Sequence, residues 1–353
     1  MRHQILFSAL ILVLTACHSV NAGVALAPTD YARVPGWSSD KHDQALKSFF
    51  HSCETMVLKP GQKLKVAGKS IRSETWQTLC HEALGLRNTP WAAKGFFEKY
   101  FIPYQLVERG EVDGKLTGYY APLLRGSLHR GGRYQYAVYA APPELKGGVP
   151  FLTRKEIDQG ALAGRGLELM YLDDPVMLYF LQVQGTGLVE MNDGSMMRLS
   201  YADNNNYAYY AIGKELIRRG ALESHEVSLN AIRAWMYAHP SEAIEVMQAN
   251  PRYIFFKLDR HGEAFGAQGV PLTPERSLAV DPAYIPYGLP IFVSTTLGLD
   301  GTPYERLMIA QDTGSAIKGA IRGDIYFGIG HEAEKRAGPM NNAGQFTLLI
   351  PRD

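Results

Sequence analysis

The residues best able to do chemistry gather near the end of this chain, in two strings. These are Ala310-Gln311-Asp312-Thr313-Gly314 and Gly323-Asp324-Ile325-Tyr326-Phe327-Gly328. Two carboxylates stand among glycines in a stretch that otherwise reads as buried strand. Beside an apolar wall and a like charge, a carboxyl keeps its proton to unusually high pH and can protonate a leaving group. Ile325 and Tyr326 offer the wall, Gly323 a close backbone approach, and Asp312 the neighbouring charge. A third carboxylate, Asp281, follows the strand-like run Leu278-Ala279-Val280. The blander reading makes Asp312-Thr313-Gly314 and Asp281-Pro282 turns, whose aspartates accept bonds from nearby amides. Other chemistries find less support. His81, His225 and His239 lack zinc-ligand spacing, and no serine sits in a G-x-S-x-G setting. The single Asp-Thr-Gly triplet falls short of the two such loops an aspartic protease needs.

The elements that must position these carboxylates are mostly strands. Ser277 to Val280, Pro290 to Thr295, Arg306 to Gln311 and Gln345 to Ile350 have the β-branched and aromatic content of strands. Upstream, Gln105 to Val107, Leu116 to Tyr120, Tyr134 to Tyr139, Met177 to Val183 and Met196 to Leu199 read the same way, with a hairpin turn at Asn192-Asp193-Gly194. Helical periodicity covers roughly residues 41 to 101, with Thr89-Pro90 as a helix start. Further helices are expected at about 208–219, 229–238 and 242–248. Short strands cut by glycine and proline predict barrels rather than an open parallel sheet. The fold class is mainly β with peripheral helices (α+β).

The ends and the composition bound the setting. Met1 to Gln4 is a short basic start, and Ile5 to Leu14 is an apolar run too short to span a bilayer comfortably. It leads into Leu14-Thr15-Ala16-Cys17, which resembles the lipobox of bacterial lipoproteins. Residues 1–16 are therefore expected to be a signal peptide, with Cys17 lipidated after cleavage. His18 in place of aspartate implies export to the periplasmic face of the outer membrane. The remaining cysteines, Cys53 and Cys80, can pair in an oxidising compartment or pack reduced as small hydrophobes. The chain exceeds what one core usually holds, so two domains are expected. A net charge of +1 gives no reason to expect nucleic-acid binding. No cofactor or metal is called for.

Several strings, taken together, resemble the membrane-bound lytic murein transglycosylase A family. They are the lipobox, Thr117-Gly118-Tyr119-Tyr120-Ala121-Pro122, Gln182-Val183-Gln184-Gly185-Thr186-Gly187, Tyr201-Ala202-Asp203-Asn204, Asn250 to Lys257, Leu278 to Asp281, and both aspartate strings. The resemblance implies a double-psi β-barrel domain, 17–121 plus 262–353, interrupted by a smaller β-barrel over 122–261, with a groove between them. It implies cleavage of the MurNAc–GlcNAc β-1,4 bond of peptidoglycan to 1,6-anhydroMurNAc ends. Asp324 would be the single acid/base, with Asp312 and Asp281 completing the catalytic set. Thr117, Tyr119, Gln182, Gln184, Gly185, Thr186, Asp203, Asn204, Lys257 and Tyr326 would bind substrate, the two tyrosines by stacking. The partners implied are peptidoglycan glycan strands, outer-membrane lipid through acylated Cys17, and murein synthases. Two alternatives stay open: a murein-binding lipoprotein that does not cut, and a hydrolase using Asp312 and Asp324 as a pair.

Overall fold

The computed structural model describes residues 23–55, 61–259, 263–297 and 301–352. The expected signal segment, residues 1–16, and Cys17 lie outside them. The N-terminal part holds β1 (Val24–Pro28), α1 (His42–Thr55), β2 (Lys63–Val66), β3 (Lys69–Arg72), α2 (Ser73–Leu84) and α3 (Pro90–Tyr100). Next come β4 (Phe101–Glu108), β5 (Gly114–Ala121), β6 (Leu123–Ser127), β7 (Tyr136–Tyr139), α4 (Arg154–Asp158), β8 (Glu168–Leu172), α5 (Pro175–Gln184), β9 (Thr186–Met191) and β10 (Met196–Asn204). Three helices follow, α6 (Ile212–Arg218), α7 (Leu229–Ala238) and α8 (Pro240–Gln248), then β11 (Ile254–Asp259). The chain closes with β12 (Ser277–Val280), β13 (Pro290–Leu297), β14 (Thr302–Asp312), β15 (Arg322–Ile329), α9 (Gly330–Ala337) and β16 (Asn341–Pro351).

Eight strands form one sheet in the order β1-β4-β16-β13-β14-β12-β15-β5, and β5 also pairs with β16. That last pairing closes six of them into a ring, leaving no open edge there. Two parallel pairings, β12 with β14 and β15 with β5, are set among antiparallel ones. This is the double-psi barrel of a mainly β fold, as expected. Its interior is filled by Leu116, Leu278, Val280, Ile291, Val293, Leu307, Ile309, Ile325, Phe346 and Leu348.

A second sheet, β11-β10-β9-β6-β8-β7, contains all its strands between residues 123 and 259. It curls until Tyr139 on β7 and Phe255 on β11 share one apolar cluster. Only Pro122 separates β5 of the barrel from β6 of this sheet.

The N-terminal helices back the barrel. Phe49 of α1 is buried among the rings of Trp76, Phe96, Phe97 and Phe101. Cys53 and Cys80 are bonded, joining α1 to α2. Thr89 caps α3 through the Ala92 amide, with Pro90 in the first turn, as its sequence predicts. Two local readings need correction. Residues 63–72, inside the stretch read as helical, form the β2–β3 hairpin. Met177 to Val183, read as a strand, lies in α5.

Candidate active site

β5 and β15 run parallel with Lys115 opposite Arg322, Thr117 opposite Asp324, and Tyr119 opposite Tyr326. Side chains alternate along a strand, so these six residues share one face as three successive rungs. The intervening Leu116 and Ile325 point into the barrel core. One face thus presents a pair of cations, then a carboxyl with a hydroxyl, then two phenols. The phenol rings pack at 5.2 Å.

Asp324 occupies the middle rung. Its Oδ1 accepts the Thr117 hydroxyl, and the Arg322 Nη2 donates to that same hydroxyl oxygen at 2.9 Å. The Arg322 Nη1 lies 3.8 Å from Asp324 Oδ1. The carboxyl is mostly enclosed, with a 19 % exposed side chain. Burial pushes its pKa up to about 6; Arg322 pulls it down and the Asp312 charge adds to the rise. Gly323, just before it, seats the strand: a Cβ there would meet the Phe346 ring at 2.7 Å.

Asp312 lies across β12 from it. Ala279 pairs with Asp324 on one side and with Asp312 on the other, so the two aspartates are two strand spacings apart, roughly 9–10 Å between Cα atoms. The strand residue paired with both, Ala279, is buried. Asp312 accepts the Tyr119 hydroxyl at 2.7 Å and the amides of Ala267 and Thr313 at 2.8 and 2.9 Å. Burial raises its pKa while those three donors oppose the rise. Burial and then the Asp312 charge push the Tyr119 phenol far up, so it stays a neutral donor. The preceding Gln311 is buried and held by Ser48 and Ser52 of α1 and by Ser277. A helix on the far side of the barrel thereby fixes the end of β14.

Asp281 serves backbone. Its carboxylate accepts the amides of Ala283 at 3.1 Å and Gly319 at 3.0 Å. It pins the loop leading to β15, which fits the turn reading.

The second sheet reaches this face through Leu188 of β9, which packs in one cluster with Tyr119, Ala121, Ala279, Ile317 and Tyr326. The other anticipated residues divide. Thr117, Tyr119, Tyr326, Asp312 and Asp324 come together. Tyr119 and Tyr326 are only 8 % and 1 % exposed, so they cover each other and offer no open face for stacking. Gln182 and Thr186 are buried too, Gln182 on the packed face of α5 with Val176, Tyr179, Phe180 and Leu181, and Thr186 at the start of β9. The Thr186 hydroxyl is given to the Leu199 carbonyl. Gly185 caps α5 with φ of 78°, and Gln184 is the half-buried last residue of that helix. Lys257 is exposed on β11, aligned through Ser200 with Thr186. Asp203 and Asn204 at the end of β10 bond locally, Asp203 to the Asn204 amide and Asn204 to Tyr201 and Asn206. Arg322 and Lys115 went unread in the sequence. Their signal is the strand period: each stands two residues before a site residue.

Comparisons agree with this architecture. The MltA specific insert domain matches residues 115–257, and the 3D domain matches residues 276–350. The membrane-bound lytic murein transglycosylase A of Escherichia coli K12 is 39 % identical over 242 residues, which is 67 % of this chain and 65 % of that relative's length. A solved membrane-bound lytic murein transglycosylase from Agrobacterium tumefaciens superimposes with a TM-score of 0.83 at 32 % identity, covering 93 % of this chain and 98 % of that one. Escherichia coli MltA with bound chitohexaose superimposes with a TM-score of 0.70 at 28 % identity, covering 93 % and 92 % of the two chains. With the Agrobacterium tumefaciens relative 32 % identical and matched over 98 % of its length, and with both family domains matched, this chain belongs to the MltA family.

Proposed function

We propose that this protein is a lytic transglycosylase that cuts the MurNAc–GlcNAc β-1,4 bond of peptidoglycan without water, using Asp324 as its single acid/base. The observation that carries the proposal is the unequal state of the three carboxyls. Asp312 accepts three donors and Asp281 two, while Asp324 is enclosed, has a pKa near 6, and meets the Thr117 hydroxyl and, at 3.8 Å, the Arg322 guanidinium. One carboxyl in that state suffices if the nucleophile belongs to the substrate.

In the first step the Asp324 proton passes to the glycosidic oxygen as the bond from C1 of N-acetylmuramic acid breaks. The sugar's own C6 hydroxyl then attacks C1, and its proton returns to the Asp324 carboxylate. The product end is a 1,6-anhydro ring and the acid is restored. Tethering the attacking hydroxyl gives it a high effective molarity. Thr117 and Arg322 orient the carboxyl through the entire cycle. Tyr119 holds Asp312, whose charge keeps the Asp324 proton in place. The chitohexaose held by the Escherichia coli neighbour supports a β-1,4-linked aminosugar as ligand. We place the working cleft between the barrel (17–121 and 262–353) and the insert (122–261), where Leu188 meets the site. Membrane association rests on lipidated Cys17 and on the relative's name; among the described residues no helix is long and apolar enough to cross a membrane.

The test is digestion of murein sacculi in ¹⁸O-labelled water with mass spectrometry of the released ends. Anhydro ends free of label are expected. Labelled reducing ends would make the protein a two-carboxylate hydrolase, and binding without cleavage would make it a tether. Asp324→Asn should stay folded and lose about 10²–10⁴-fold in turnover.

A further inference from the structure

A depression of about 510 Å³ opens beside the catalytic rung. Lys115, Lys318, Arg322 and Glu108 line it, over an apolar floor that includes Ala316 and Ile321. Two of its cations, Lys115 and Arg322, form the rung next to Thr117 and Asp324. Two residues of parallel strand separate the rungs, so the Cα atoms of the two rungs are about 6.6 Å apart along the sheet. Lys318 comes from the loop that Asp281 pins through the Gly319 amide. Arg322 faces Asp324 at 3.8 Å, but no ion pair engages Lys115 or Lys318 among the described residues. Arg322 is already engaged by Thr117, Gly323 and Asp324, so it is Lys115 and Lys318 against Glu108 that give the hollow its positive excess.

We propose that this hollow is a subsite for an acidic peptide, the carboxylates of which pair with Lys115 and Lys318 while an ammonium group of the same peptide meets Glu108. The inference rests on the transglycosylase reading, because it identifies the peptide as the one that branches from the muramic acid held at Asp324. The separation of one rung suits a substituent on the sugar being cut. Glu108 argues against a purely anionic ligand such as a phosphate polymer, which it would repel. Apolar Ala316 and Ile321 suit the small side chains of a peptide. The site would make the enzyme distinguish glycan that carries peptides from glycan stripped of them.

The experiment measures binding of a soluble muropeptide-type peptide with two free carboxylates and one free ammonium, against the same peptide with its carboxyls amidated. Native protein should prefer the free acid by about tenfold, the scale of a close charge pair, with the preference fading as salt rises. Lys115→Ala/Lys318→Ala should lose that preference. Lys318→Gln alone, at an exposed loop position, should reduce it and guards against misfolding of the double variant. Equal binding of both peptides, or an unchanged preference in both variants, overturns the subsite. So does binding of phosphatidylglycerol vesicles that depends on these lysines when the peptide does not bind. Cleavage of peptide-free glycan is scored separately. Protein that discriminates the peptides yet never cuts glycan upholds the subsite and sinks the enzyme reading; the opposite pattern sinks the subsite alone.

Discussion

Asp324 reads as an acid because its surroundings refuse it charge. Its pKa near 6 is the outcome of burial against the pull of Arg322. On the proposed mechanism only the protonated carboxyl starts the reaction, so kcat/KM should hold below about pH 6 and fall as pH rises through it. Arg322→Met removes the stronger of the two cations, Arg322 and Lys115, that favour the carboxylate, so the midpoint of this fall should move to higher pH. A pH–rate profile of both proteins checks the pair, and an unmoved or lowered midpoint would show that Arg322 does not tune the acid. Asp324, Asp312, Thr117 and Tyr119 were legible in the sequence as separate strings. The bonds among them were not, because Thr117 and Asp324 are 207 residues apart and only strand pairing aligns them. Tyr326 differs: in the sequence it is an aromatic beside an acid, the chemistry of a sugar platform, whereas in the fold its ring is 1 % exposed and packs against Tyr119.

At the scale of elements, the barrel strands declared themselves by composition, and α3 by its cap and proline. α5 did not. Asp174 and Pro175 supply a proper start, with the Asp174 carboxylate accepting the amides of Val176 and Met177. The run from Val176 to Val183 is nonetheless so apolar that no helical period survives, and such a run reads equally as a buried strand. The β2–β3 hairpin hid in a helical window although Ala67 and Gly68 both have positive φ, as a tight primed turn requires. The two cysteines left pairing open in the sequence; the packing of α1 on α2 brings their Cα atoms to 5.4 Å. Closing 27 residues of chain is worth about 3.5 kcal/mol. Cys53→Ser/Cys80→Ser should lose that order of stability in urea unfolding, while a loss below about 1 kcal/mol would mean the helices hold one another unaided.

Across the whole molecule, the barrel and the inserted sheet meet over the site itself. Leu188 is 6 % exposed and is the insert's contribution to the cluster around Tyr119 and Tyr326. Leu188→Ala should cost about 2–4 kcal/mol in unfolding free energy. Turnover on glycan should drop in the surviving folded protein, because the rungs lose the neighbour that packs them. Full activity in that variant would show that the barrel positions its acid alone. On the opposite side, Arg276 and Asp40 form a bidentate pair, both almost fully buried, which locks the N-terminal segment to β14 through the Leu307 amide. Neither residue stood out in the sequence, since a lone arginine and a lone aspartate far apart carry no pattern.

The parallel union of β5 with β15 also dictates when the protein acquires its chemistry. Contacts between such remote segments form late and slowly, since a long loop must close before they repay it. A nascent chain that has already displayed Thr117 still lacks its proton donor until residue 324 emerges, and the ring is not shut until β16 joins β5. On the proposed mechanism an unfinished or clipped copy would therefore be inert, which would suit an enzyme able to cut the wall of the cell that makes it.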